Sequence, residues 1–114
     1  MTKSLRERWK RCERRIASYI GGERVPVTGR QRGSAPDIEH PWLAVEVKYR
    51  EAGIPQWVDE ALAQADASKR LCQPPQGATR DAHQLPVAIL CGKGETAGEA
   101  RVVMRLEDFR EWFL

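Results

Sequence analysis

The chain has 114 residues, enough for one compact domain and too few for two ordinary ones. With 41% hydrophobic and 31% charged residues it reads as globular, not disordered, and no apolar run approaches the length of a membrane span. The net charge of +3 is unevenly spread: positions 1–32 hold ten Lys/Arg against three Glu, net +7, which leaves −4 for the remainder. A basic region beside an acidic one suits a phosphate-backbone partner, although a solvated helix face gives the same pattern. Cys12, Cys72 and Cys91 are odd in number and lack CxxC spacing. They argue against a disulfide framework or a zinc site and for packing residues in a reducing, cytoplasmic setting. The N-terminus has no signal-peptide core, so neither export nor a membrane is expected.

Ser4, with Glu7 at the capping-box position, starts a first helix that Gly21-Gly22 ends. Leu5, Trp9, Cys12, Ile16 and Ile20 form its apolar stripe, with Tyr19 at one edge and Glu13 at the border. Arg14 and Arg15 lie among the basic residues on the other faces. Residues 24–28 read as a short strand, with Val25 and Val27 alternating and Pro26 marking an edge or a kink. Residues 28–35 form a polar, glycine-containing loop whose Arg30, Arg32 and Ser34 suit phosphate contact.

Residues 37–49 read as a strand pair turning at His40-Pro41. Along 42–49 Leu43, Val45, Val47 and Tyr49 share one face, and Trp42, Ala44, Glu46 and Lys48 the other. Glu46 and Lys48 therefore point the same way, about 6.6–6.8 Å apart at Cα. The apolar neighbours predict a buried central strand, where charges need compensation, and a divalent metal held by Asp37 and Glu46 beside Lys48 would supply it. A strand with one exposed face, carrying Glu46 and Lys48 as a surface pair, is the plainer alternative.

A second helix is expected over 53–72, with Pro55 in its first turn, Trp57, Val58, Ala61 and Ala65 on helical spacing, and Gln64 near the apolar face. Residues 73–84 read as a loop, 85–91 as a buried strand, 92–99 as a turn and 100–104 as the last strand. A short helix over 106–114 ends the chain with Phe109, Trp112 and Phe113 on one face. The expected order is α-β-β-β-α-β-β-α, an α/β domain spanning 1–114 with a mixed β-sheet flanked by helices. His40 and His83 read as turn and loop residues.

The run Pro36-Asp37, an apolar stretch, then Glu46-Val47-Lys48 resembles the signature of the PD-(D/E)xK nuclease superfamily. Asp37 and Glu46 match its two acidic positions and Lys48 its lysine. Within that superfamily the chain is similar to the archaeal-type Holliday-junction resolvases, most specifically over residues 13–50. Glu13-Arg14-Arg15 stands where that family has a helix glutamate and an arginine, and Ser34 where it has a loop serine. The resemblance implies a restriction-endonuclease-like core and a structure-specific DNA endonuclease that resolves four-way junctions. It further implies Mg²⁺, with Mn²⁺ able to substitute, held by Asp37, Glu46, the Val47 carbonyl and Glu13, with no small-molecule cofactor. Lys48 would offset developing charge, Ser34 would assist, and Arg14, Arg15, Arg30 and Arg32 would hold DNA. Paired nicks imply a homodimer, for which the C-terminal aromatic face, with Trp57, is the candidate surface. A phage or mobile-element endonuclease acting on duplex or flap DNA, and an inactive DNA-binding module of the same fold, are the alternatives.

Overall fold

The computed structural model describes residues 4–26, 36–73 and 82–114. The chain divides into two compact units, Met1–Gly53 and Ile54–Leu114, each with its own core. Within the described residues, helices combine with three separate two-stranded antiparallel sheets, an α/β composition in which the expected single mixed sheet is not seen.

The first unit opens with α1 (Leu5–Ile20), bounded where its local signals place it. The Glu7 N–H donates to Ser4 Oγ and the Ser4 N–H to Glu7 Oε2, both at 3.2 Å, closing a reciprocal capping box. Gly21 ends the helix in the left-handed region at φ 76°, and the Gly22 N–H then bonds the Ala17 carbonyl at 2.9 Å. Gly22 also has a steric reason to be glycine. A Cβ there would lie 2.6 Å from the Glu39 carbonyl oxygen and 2.7 Å from Ile38 Cγ2.

That close approach brings α1 against β1 (Glu23–Arg24) and β2 (Ile38–Glu39), paired with Glu23 opposite Glu39 and Arg24 opposite Ile38. Ala17, Ile20, Ile38 and Val47 form the buried core, with Cys12, Ile16, Leu43 and Val45 packed at its edge. The expected strand over 42–49 is reduced to one bridge, Ile38 to Val45. Its alternation survives: Val47 is buried and Leu43, Val45 and Tyr49 half-buried, while Trp42, Ala44, Glu46 and Lys48 are exposed. His40 fixes the turn before it. Nδ1 accepts the N–H groups of Trp42 (3.3 Å) and Leu43 (3.2 Å), which leaves Nε2–H to donate to the Ile20 carbonyl at 3.2 Å.

The second unit is built on α2 (Gln56–Ser68), whose Val58 and Leu62 meet Ala88 in a small apolar core edged by Ala61, Leu90 and Val103. The helix ends four residues before the expected boundary. Lys69 turns extended, and β3 (Leu71–Cys72) pairs with β4 (Ala82–His83), so cross-strand bonding captures backbone that spacing assigned to the helix and the loop. β5 (Ala88–Leu90) and β6 (Arg101–Val103) pair with Ile89 opposite Val102. The apolar run 85–91 predicts burial on both faces, yet Ile89 is 59% exposed, because a two-stranded ribbon covers only one of its faces. The turn between these strands is tied by Arg101 Nη1, 2.9 Å from each carboxylate oxygen of Glu95. In α3 (Leu106–Phe113) the Phe109 and Phe113 rings meet at 5.1 Å, and no residue is fully buried. Among the described residues no helix is long and apolar enough to cross a membrane.

Candidate functional site

Two buried charges stand in the first unit, and both belong to the sequence candidates. Asp37 is 3% exposed and Glu13 1%. Carboxylates are almost never buried to this extent unless they are paired or bind metal, because each ion loses several kcal/mol of hydration, roughly, even after relaxation.

The backbone positions Asp37. Its N–H donates to the Val45 carbonyl at 3.1 Å, and its own carbonyl accepts the Val25 N–H at 2.9 Å. Its Oδ2 accepts the Val47 N–H at 2.7 Å, a short charge-assisted bond in a buried setting. Asp37 therefore grips the chain on both sides of Glu46, and the second grip replaces a rung of a regular hairpin ladder with a carboxylate.

Helical geometry turns Glu13 onto the buried face of α1. Glu13, Ala17 and Ile20 recur at helix-face spacing and are the buried residues of α1, so the acid occupies the centre of the face and not the border expected for it. Arg24 Nε lies 3.5 Å from Glu13 Oε2, and Arg24 stands opposite Ile38, the neighbour of Asp37. The alternation of Val25 and Val27 carries no signal for this partner, which depends on which face of α1 meets β1.

Glu46 and Lys48 are found elsewhere than expected. Their side chains are 61% and 81% exposed, with Nζ 3.5 Å from Oε1. The premise that a buried strand forces compensation onto this pair does not hold, since the Trp42–Lys48 face has no covering layer among the described residues. A pair so exposed contributes about 0–1 kcal/mol to stability. These two side chains lie in water, whereas Asp37 is built into the fold.

Val47 is buried at 5%. Arg14 and Arg15 are exposed on α1. Gln64 is exposed on α2, and His83 lies in β4 instead of a loop. Ser34, Arg30 and Arg32 lie outside the described residues. Among the described residues no group of three or more His, Cys, Asp or Glu is placed to hold a metal ion. The acidic candidates divide instead into the buried Asp37 and Glu13 and the exposed Glu46. No family model, curated protein or solved structure matches the chain.

Proposed function

We propose that this chain is a metal-dependent DNA endonuclease of the PD-(D/E)xK kind, with a restriction-endonuclease-like core, which resolves four-way junctions by paired phosphodiester hydrolysis. The observation that supports the reading is the buried Asp37 carboxylate, which accepts the Val47 N–H at 2.7 Å, one residue along the chain from Glu46. A binding surface for anionic DNA gains nothing from a buried acid at that place; a hydrolytic site does.

The donor set is all oxygen, which suits a hard cation such as Mg²⁺ or Mn²⁺ better than zinc. Asp37, Glu46 and the Val47 carbonyl would hold the ion, with Glu13 for a second. Such an ion polarises a phosphoryl oxygen and lowers the pKa of water. Lys48, out in water, can reach an incoming phosphate and offset its developing charge. Arg14 and Arg15, with Arg30, Arg32 and Ser34, would hold the strand by its phosphates. Symmetric nicks need two sites, hence a two-fold homodimer. Phe113 and Trp57, 42% and 58% exposed, belong to the aromatic surface assigned to it.

The exposed Glu46–Lys48 pair favours one other reading, a DNA-binding module without cleavage. A synthetic four-way junction and a linear duplex, each incubated with Mg²⁺ or with EDTA, separate the readings. Symmetric nicks in the junction with Mg²⁺ alone, lost in Asp37→Asn, are the expected result. Binding without cleavage would identify the module, and equal cutting of the duplex a nuclease of broader substrate range.

A further inference from the structure

The start of α1 and the segment 47–49 border an open cavity of about 440 Å³, lined by Leu5, Arg6, Trp9, Val47, Lys48 and Tyr49. Its walls are apolar and aromatic, with Trp9 and Tyr49 half-buried. Arg6 and Lys48 bring two exposed cations to it, and the lining contains no carboxylate. The two walls are fastened together. Arg8 Nη2 lies 2.6 Å from Glu51 Oε1, joining α1 to the turn that the Gly53 N–H closes on the Arg50 carbonyl at 3.0 Å.

A concavity of this size is at the lower end of the range for ligand sites, roughly 300–1,000 Å³. It is too small for a duplex and large enough for one planar ring and its sugar. Apolar and π surfaces inside, with positive charge and no negative charge, select a flat ring that carries an anion. Lys48 also lies beside Glu46, which places the cavity next to the segment assigned to hydrolysis.

We propose that this cavity receives a single unpaired nucleobase of bound DNA, with Trp9 and Tyr49 contacting the base and Arg6 and Lys48 the adjoining phosphates. The inference rests on the nuclease reading for the identity of the ligand and deepens it by naming what the site selects. A base inside a continuous duplex must be unpaired and unstacked before it can enter. A base at a branch point or bulge, where stacking is interrupted, needs less, so the cavity favours such DNA over intact duplex.

The test uses the full chain in EDTA, so that no cutting occurs, and a duplex carrying one unpaired 2-aminopurine and a distant fluorophore. Anisotropy of the distant label reports binding, and 2-aminopurine emission reports stacking on an aromatic ring. The expected result is quenching on binding and affinity for the bulged DNA about tenfold or more above that for the paired duplex. Trp9→Leu and Tyr49→Leu abolish both, while Leu71→Ser, at an exposed position of β3, keeps both. Should the leucine variants unfold by circular dichroism, Arg6→Ala, at an exposed position, must still weaken the preference for bulged DNA. DNA bound with 2-aminopurine emission unchanged overturns the cavity assignment and leaves the nuclease reading standing. Anisotropy unchanged with either DNA overturns the nuclease reading, and this inference with it.

Discussion

The two units solve the same problem with different materials. The core of Ile54–Leu114 is wholly apolar among its described residues: Val58, Leu62 and Ala88. That of Met1–Gly53 packs Ala17, Ile20, Ile38 and Val47 together with two buried carboxylates, Glu13 and Asp37. Burying an acid costs free energy that a leucine at the same place would supply. A small core that nonetheless contains two acids is shaped by something besides stability. The contrast separates a unit built for packing from one in which packing holds charge in place.

The largest effect that sharpens this contrast concerns chemistry. Asp37→Asn keeps the shape of the side chain and removes its charge, so cleavage of a four-way junction should fall about 10²–10³-fold or more, as for loss of a preorganised charged group. Single-turnover cleavage with Mg²⁺ measures it, and wild-type turnover would remove Asp37 from the site. In the apolar unit the corresponding change is Leu62→Ala, which should destabilise by about 2–3 kcal/mol, near the low end for buried leucine because the core is small. Urea denaturation followed by circular dichroism reads this, and a loss below 1 kcal/mol would show that the second core contributes little.

His40→Ala is smaller. It deletes the acceptor for the Trp42 and Leu43 N–H groups and the donor to Ile20, and should lower stability by about 1–2 kcal/mol. The same denaturation checks it; an unchanged midpoint would mean that water replaces the imidazole without loss. Lys48→Ala should change stability by less than about 0.5 kcal/mol, since its ion pair is in water, yet impair cleavage. An unfolded Lys48→Ala would contradict the exposed position of that side chain.

The smallest effect is a titration in the second unit. The Glu99 carboxyl is held below its usual value by hydrogen bonds from the Thr96 N–H and then the Thr96 hydroxyl. A depressed carboxyl contributes stability above its unfolded pKa and loses it as the pH falls through the folded one, so this cap weakens only in acid. Thr96→Ala removes the hydroxyl bond and should raise the Glu99 pKa in a carbon-13 NMR titration. No upward movement would mean that the backbone N–H alone sets it.

Legibility in the sequence followed the range of the interaction. Ser4 with Glu7 and Gly21 with Gly22 bounded α1 correctly, because caps act within four residues. The alternation along 42–49 was also right, since period two is a property of the extended backbone itself. What covers each face is not such a property. The apolar neighbours of Glu46 and Lys48 suggested burial on both sides, but the opposite face met no second layer among the described residues. The same error recurred at Ile89, on a ribbon of two strands. Leu71 and Cys72 fitted a continuing helix until a partner strand, Ala82–His83, offered them cross-strand bonds.

The sequence by itself determined the ends of α1, the turn at His40-Pro41, the facing of alternate residues and the pattern Asp37, Glu46, Lys48. Those features arise from local sterics, capping and spacing, which need no distant partner. Only the tertiary structure decided that Asp37 and Glu13 are the buried acids and that Arg24 is the partner of Glu13. It alone decided that Glu46 and Lys48 lie in water, and that Trp9 and Tyr49, forty residues apart, line one cavity. Each of these depends on which surfaces meet, and desolvation is set by the atoms that arrive from elsewhere in the chain, not by the residue's own neighbours.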